Sequence, residues 1–189
     1  MRVFVAGLLA GIVLMVWGML AHMVLPLGMT GYKAPSDDAA ALSALQASLP
    51  EEGVYMLPWM DESQWGDEQA MAAFGERSRS NPYAWVVYNP QGRDSTSMVP
   101  MLAVQFATVL LAGVLAAWVV SFAAVALMQR ALMVTAMGVF AWVATNVPYW
   151  NWYRFPLDFT LAALAEHAIG WFLGGLAIAW WLGRRPAAA

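Results

Sequence analysis

The sequence predicts an all-α integral membrane protein, a four-transmembrane-helix bundle with a small α/β extracytoplasmic cap between its first and second helices. Of the 189 residues, 61% are hydrophobic and 11% are charged, whereas soluble domains average about 25% charged residues. Four apolar stretches are long enough to cross a bilayer, which takes about 20 residues each. Between the first two stretches, residues 27–99 hold ten acidic and four basic side chains, a net charge of −6.

The first apolar stretch follows Arg2 and ends before Pro26. It exceeds the apolar core of about 7 to 15 residues in a typical signal peptide, so we interpret it as a retained anchor. Residues 100–149 could cross twice, and their single charged residue, Arg130, predicts a tight turn at Gln129 and Arg130. A second turn is expected over 150–155. The predicted transmembrane segments are therefore 1–26, 100–128, 131–149 and 157–183.

The segment 27–99 has the composition of a small folded cap. Ser36, followed by two aspartates, is typical of a helix N-cap and predicts a helix over Ala39–Leu49. Gly53–Leu57 and Tyr83–Tyr88 are rich in aromatic and β-branched residues and are flanked by prolines, which predicts two strands. Asp67–Arg77 between them has helical composition. The predicted order of the cap is α-β-α-β.

The distribution of arginine predicts the orientation of the chain. Cytoplasmic loops carry an excess of basic residues, and Arg2, Arg130, Arg184 and Arg185 would all lie on one side. Both termini are therefore expected in the cytoplasm, with the acidic segment in the periplasm. An aromatic group at the outer end of the third segment would anchor the interface: Tyr149, Trp150, Trp152 and Tyr153.

The composition favours a non-catalytic protein. The chain has no cysteine, which excludes disulfides and thiolate chemistry within it. The acidic residues of the cap are mostly adjacent pairs, and helix neighbours one residue apart do not face the same way. No phosphate loop or zinc helix motif occurs. We therefore predict no catalytic residues, no metal site and no cofactor, and the acidic charge argues against nucleic acid as a partner.

Small residues recur at helical spacing on the first and fourth segments. Gly7, Gly11 and Gly18 share a face with His22, while Gly170 and Gly174 continue a stripe that starts at Asp158. Small residues at this spacing let helices approach closely. We interpret these glycines as packing residues, either within the chain or towards itself and other membrane subunits.

Two candidate polar sites follow from the residues within the segments. Ionisable groups deep in a bilayer are costly and are functional candidates by default, which singles out Glu166 and His167, with Gln105, Thr135 or Asn146 as hydrogen-bonding partners. The alternative interpretation is a structural clamp between helices. A second candidate is an outer-leaflet pocket for a quinone or a lipid headgroup: His22, Asn151, Arg154 and Asp158.

The second candidate depends on depth. His22 lies about four residues from the outer end of its segment and is expected near Asp158 and Thr160, about 9 Å from the level of His167. This difference argues against a haem held by the two histidines. An ion pair between Arg154 and Asp158 that caps the fourth helix would explain those two residues without a ligand.

Three short stretches have a distinctive sequence: Tyr149–Trp152, Phe155–Thr160 and Gly170–Gly174. In these stretches and in its hydropathy layout, the chain resembles small four-span bacterial inner-membrane proteins of unassigned function. The resemblance implies a bacterial inner membrane and supplies no activity.

Three functions remain open. The favoured one is a non-catalytic accessory, scaffold or assembly subunit of a larger membrane complex, which the glycine stripes and the acidic cap suggest. The second is a conduit for protons or small molecules that uses Glu166 and His167. The third is a membrane redox or lipid- and quinone-binding protein with a pocket near His22 and Arg154.

Overall fold

A computed structural model of the chain describes residues 1–94 and 96–184. They divide into two compact units, one formed by residues 1–33 with the chain from residue 95 onward, and one formed by residues 34–94. Arg185 lies outside the described residues. In chain order the elements are α1 (Arg2–Met23), α2 (Asp38–Ser48), β1 (Gly53–Leu57), α3 (Glu68–Ser80), β2 (Ala84–Tyr88), α4 (Val99–Ser121), α5 (Leu127–Tyr153) and α6 (Leu157–Gly183).

The first unit is built from α1, α4, α5 and α6. All four are long and apolar enough to span a membrane, with mean hydropathies from 1.5 to 2.5, which fits a multi-pass membrane protein. Helix α1 packs against both α4 and α6, and α6 also packs against α5, whereas α4 and α5 make few contacts. The spatial order of the helices is therefore α4, α1, α6, α5, with α1 and α6 in the middle.

Glycine lets α1 and α4 approach to backbone contact. A Cβ atom on Gly113 of α4 would lie 2.5 Å from the carbonyl oxygen of Gly7, and one on Gly11 would lie 2.8 Å from the Cα of Leu110. The core beside this crossing consists mainly of small residues, among them Ala6, Ala10 and Ala116. In this part of the bundle, α1 and α4 pack closely because the glycines and alanines at the crossing have no large side chains.

The contacts of α6 follow the same rule. Gly170 and Gly174 face Leu14 of α1, and Gly170 also faces Trp17. On the other side of α6, a Cβ on Gly175 would lie 2.8 Å from the carbonyl oxygen of Ala131 in α5. Gly18, which the sequence pattern predicts as a packing residue, has no neighbouring atom within 4 Å of its Cβ position. It therefore packs against no other helix.

The turn predicted at Gln129 and Arg130 is wrong, because both residues lie in the first turn of α5 and the connection is residues 122–126. The side-chain oxygen of Gln129 accepts a hydrogen bond from the backbone N–H of Ala126 at 3.1 Å. The guanidinium of Arg130 donates to the carbonyl oxygen of Ala123 at 2.8 Å. The two polar side chains therefore fasten the connection to the start of the helix, where backbone groups lack partners.

The predicted end of the third segment at Tyr149 is also wrong, because α5 continues through Pro148 to Tyr153. Proline removes one hydrogen bond of the helix, and this loss does not end the helix here. The helix ends where Arg154 takes a left-handed conformation, with φ of 57°, and Pro156 then precedes α6. Residues 150–153 are thus helical, and the turn is shorter than the sequence predicts.

The second unit has the α-β-α-β order that the sequence predicts. Strands β1 and β2 pair antiparallel, with Tyr55 opposite Val86. The N-cap of α2 is Asp37, whose carboxylate accepts from the N–H of Ala40 at 2.9 Å, so the predicted cap at Ser36 is wrong by one residue. Asp67 caps α3 in the same way. Carboxylates are favourable at helix N-termini, which accounts for these two acids of the unit.

A third aspartate, Asp61, caps a short 3₁₀ turn over Glu62–Gln64. Its Oδ1 accepts from the hydroxyl of Ser63 at 2.5 Å and from the N–H of Ser63 at 2.8 Å. These two hydrogen bonds, the hydroxyl first, lower the pKa of the Asp61 carboxyl below its usual range, because they favour the charged form. The cap bond therefore persists to lower pH than an ordinary aspartate would allow.

The glycine contacts predict opposite effects for one substitution at two positions. Gly113→Ala should destabilise the bundle by about 1–3 kcal/mol, because the new methyl group collides with the backbone of α1. Gly18→Ala, in open space, should be neutral or stabilising by up to about 1 kcal/mol, because alanine is the better helix former. Thermal unfolding of the purified variants in detergent micelles measures both, and equal effects would contradict the crossing described here.

Candidate functional site

The candidate site begins with a hydrogen bond between the first and the last helix. His22 Nε2 lies 3.0 Å from Glu166 Oε1. The side chains are partly exposed, with 54% of His22 and 31% of Glu166 accessible within the described chain. The contact joins residues 144 positions apart and links the C-terminal end of α1 to the first half of α6.

Side-chain direction explains why His22 contacts Glu166. Gly174 faces Ala10 and Gly170 faces Trp17, so α1 and α6 run antiparallel. Side chains on a helix lean towards its N-terminus, which for two antiparallel helices means in opposite directions. His22 therefore leans back along α1 while Glu166 leans towards the start of α6, and they meet. The prediction that His22 lies beside Asp158 and Thr160 is wrong, because the start of α6 reaches past the end of α1, where Phe159 lies against Gly31.

The chain after α1 folds back over His22. Residues Pro26–Met29 form a 3₁₀ turn, and a Cβ on Gly28 would lie 2.5 Å from His22 Nδ1. Only glycine leaves room for the imidazole ring there. Gly31, at φ of 86°, then lies against Phe159, and the rings of Tyr32 and Phe159 pack edge to face at 5.7 Å. The His22 ring is held between this turn and Glu166.

Trp17 holds the backbone beneath Glu166. Its indole N–H donates to the carbonyl oxygen of Glu166 at 3.0 Å. A Cβ on Gly170 would lie 2.7 Å from Trp17 Cδ1, so glycine at this position gives the indole its access to the carbonyl. Glu166 is thus positioned by α1 twice, through Trp17 at its backbone and through His22 at its side chain.

His167 lies beside this pair with a defined tautomer. Its Nδ1 lies 2.8 Å from the carbonyl oxygen of Ala163. A carbonyl oxygen only accepts, so Nδ1 carries the proton and Nε2 of the neutral ring is an acceptor. None of the described residues forms a hydrogen bond with His167 Nε2.

A cavity of about 520 Å³ lies between α1, α4 and α6. Its wall is mainly apolar, with Leu14 and Met19 from α1 and Leu102 from α4 as examples. Gly18 also lines the cavity, and its lack of a side chain leaves space there. The polar lining groups come from three helices: Trp17, His22, Gln105, Thr108, Glu166 and His167.

The structure brings together part of each predicted site. Gln105 shares the cavity with Glu166 and His167, as does His22 from the other predicted pocket. Asn146 instead donates to Thr145 Oγ1 at 3.2 Å, and Thr135 donates to the carbonyl oxygen of Ala131. Neither of these two residues lines the cavity.

Three residues of the predicted outer-leaflet pocket lie apart from the cavity that His22 lines. Asn151, Arg154 and Asp158 do not line the cavity. Asp158 Oδ1 accepts from the N–H of Phe159 at 2.8 Å, and within residues 1–94 and 96–184 no ion pair joins it to Arg154. The expected cap of α6 by this ion pair is wrong, because Asp158 bonds to its own helix and Arg154 ends the preceding one.

Sequence analysis missed Trp17, Thr108 and the methionines of the wall. The four-residue spacing of Leu14, Gly18 and His22 on α1 was a usable signal, because these residues share one face and all line the cavity. The same spacing also predicts packing glycines, so the pattern alone does not separate a groove from a helix contact.

The two histidines line one cavity, so the expected difference in depth does not argue against a haem. His22 Nε2 is bonded to Glu166, and a Cβ on Gly28 would lie 2.5 Å from His22 Nδ1. An iron bound at either nitrogen of His22 would displace one of these contacts. Among the described residues, no group of three or more His, Asp or Glu side chains has the spacing of a metal site.

Comparison of the chain with protein-family models, with curated proteins and with solved structures finds no match. The class of the protein therefore follows from its own features, four helices apolar enough to span a membrane and a groove with a few polar groups. These features fit a multi-pass membrane protein. We refer below to the cavity between α1, α4 and α6 as the groove.

A double-mutant cycle measures the contact between the helices. His22→Ala and Glu166→Ala should couple by about 0.5–1 kcal/mol, the range of partly exposed pairs and of hydrogen bonds between membrane helices. Unfolding of the single and double variants in mixed micelles gives this value. The matched control is the cycle of His167→Ala with Glu166→Ala, for which we expect no coupling because the two side chains share no hydrogen bond.

Proposed function

We propose that this chain is a multi-pass protein of a bacterial inner membrane that binds an amphiphilic small molecule, such as a lipid or a quinone, in the groove. The observation that carries the proposal is the groove itself, a mainly apolar cavity of about 520 Å³ into which polar groups of three helices converge. Ligand sites usually have about 300–1,000 Å³, an apolar wall and a few polar groups. We assign no reaction to the groove.

The closed end of the groove favours binding over conduction. Beyond Leu110 and towards Gly7, α1 and α4 are in backbone contact through Gly11 and Gly113. A conduit needs a polar path that continues through the bundle, and the residues packed at this crossing are small and apolar. This crossing therefore favours a groove that closes between α1 and α4 over a continuous polar path through the chain.

The accessory-subunit function stays a prediction and is compatible with ligand binding. Part of its support came from the glycine stripes, and four of those glycines are occupied inside the chain. Gly7 and Gly11 face α4, while Gly170 and Gly174 face α1. An interface with another subunit would have to use a different surface.

The proposal predicts that filling the groove abolishes binding. Delipidated protein in micelles is titrated with a short-tailed quinol, the matching quinone, a long-chain alcohol and a long-chain amine. At least one should raise the melting temperature saturably, because a ligand that binds the native state stabilises it. Gly18→Leu should weaken that binding by about tenfold or more, because a leucine side chain would occupy the groove.

Gly183→Leu is the matched control. Gly183 also has no atom within 4 Å of its Cβ position, and it lies outside the groove at the end of α6. Its substitution should leave the binding unchanged. If none of the four probes binds, or if Gly18→Leu binds as the unaltered chain does, ligand binding in the groove is disproved.

The orientation of the chain is testable because it contains no cysteine. Single variants Ser48→Cys, in α2, and Ala124→Cys, in the connection between α4 and α5, place one thiol at an exposed position each. In intact cells with an opened outer membrane, an impermeant maleimide should label Ser48→Cys only. Ala124→Cys should react after the inner membrane is permeabilised. The reverse pattern would invert the proposed orientation.

A further inference from the structure

The polar atoms that line the groove and have no partner among the described residues include donors and acceptors of hydrogen bonds. Which of the two types is more numerous determines the chemistry of a ligand. We infer that the groove selects amphiphiles whose polar end donates hydrogen bonds, such as a hydroxyl or an amine, over those whose polar end only accepts them. This inference rests on the proposed ligand binding and specifies its chemistry. The selection depends on the donors and acceptors that the protein itself leaves unused.

His167 contributes an acceptor. Its Nδ1 proton is committed to the carbonyl oxygen of Ala163 at 2.8 Å, so Nε2 of the neutral ring presents a lone pair. A hydroxyl or amine of a ligand can donate to this atom. A ligand carbonyl cannot, because both atoms would be acceptors.

Glu166 contributes a second acceptor. Its Oε1 shares a proton with His22 Nε2 at 3.0 Å. With the proton on His22 Nε2 and Glu166 present as the carboxylate, Oε2 presents only lone pairs. None of the described residues donates to Oε2. Hydrogen bonds to a carboxylate are stronger than those between neutral groups. Oε2 of Glu166 therefore contributes most to the preference for ligands that donate hydrogen bonds.

Thr108 and Gln105 complete the set from α4. The hydroxyl of Thr108 donates its single proton to the carbonyl oxygen of Val104 at 2.9 Å, which leaves its lone pairs as acceptors. The amide of Gln105 offers both a donor and an acceptor. Gln105 is therefore a lining residue that can donate to a ligand.

The indoles of the wall add little donor capacity towards the ligand. The N–H of Trp17 is committed to the carbonyl oxygen of Glu166 at 3.0 Å. Trp171, which also lines the groove, packs Cδ1, Cγ and Cβ of its side chain against Gly138 of α5 and adds at most one further donor. The balance of the groove is therefore towards acceptors.

The charge of the groove points to the same class of ligand. Its lining includes Glu166 and, among the described residues, neither lysine nor arginine. A phosphate monoester or a carboxylate would meet the Glu166 carboxylate without a guanidinium or an ammonium to bind it. Of the two imidazoles, His22 is already bonded to Glu166 and neutral His167 presents an acceptor. A neutral hydroxyl or a cationic amine meets no such repulsion. Quinols, long-chain alcohols and long-chain amines share the required chemistry.

Pairs of probes that differ only in their donors test this inference. A short-tailed quinol and its quinone have the same ring and tail, and a long-chain alcohol and its methyl ether differ by one proton donor. With the full chain in micelles under anaerobic conditions, each donor-bearing member should bind about tenfold or more tightly than its partner. A long-chain amine is the cationic probe, and its binding distinguishes an amine ligand from a hydroxyl ligand.

Glu166→Gln tests the origin of the preference. It replaces an acceptor by an amide with its own donors at nearly the same volume, so the preference for quinol over quinone should fall from about tenfold to about threefold or less. Asn146→Ala, on α5 and outside the groove lining, is the control and should leave the preference unchanged. If Glu166→Gln does not fold, the paired probes on the unaltered chain decide alone.

The outcomes separate this inference from the proposed function. If quinol and quinone bind equally, and alcohol and ether do too, the donor preference is wrong while ligand binding stands. If Glu166→Gln keeps the full preference, the assignment to Glu166 is wrong. If no probe binds at all, the proposed function fails and the inference fails with it.

Discussion

The close approach of α1 to its two neighbours is the constraint on which the rest of the structure depends. Between membrane helices there is little hydrophobic driving force, so stability comes from packing and interhelical hydrogen bonds. Here the packing is achieved by glycine at Gly7, Gly113 and Gly170. Where these contacts end, Gly18 faces no atom within 4 Å, and the groove occupies that space. Glycine therefore brings the helices into contact at one end of the bundle and leaves space for the groove at the other.

Patterns in the sequence predicted the elements better than their ends. The apolar stretches and the α-β-α-β order of the cap are found, because hydropathy and β-branched composition act over many residues. The ends depend on single side chains, such as Gln129 bonded to the N–H of Ala126 and Arg130 bonded to Ala123. A polar residue inside an apolar run can begin a helix as readily as form a turn, and the sequence alone does not distinguish these two cases.

The candidate site was predicted in part, for a geometric reason. Glu166, His167 and Gln105 line one cavity. The sequence indicates the first two because ionisable side chains inside a membrane are energetically costly and are therefore candidates for a functional site. Counting residues from the predicted ends of the segments places His22 in a different pocket, whereas α6 begins past the end of α1. The lean of side chains on antiparallel helices then brings His22 to Glu166. The fold-back of Gly28 onto the imidazole ring requires a three-dimensional structure, since the sequence gives no sign of it.

The spatial order α4, α1, α6, α5 has a consequence for biogenesis. Chains are synthesised from the N-terminus, so α1 and α4 leave the ribosome well before α6. The groove needs all three, and the His22 to Glu166 contact spans 144 positions of the chain. The site therefore comes into existence only after α6 has been synthesised. Until then the polar face of α1 has no intramolecular counterpart, and a nascent chain that stalls before α6 would expose that face to lipid or to the insertion machinery.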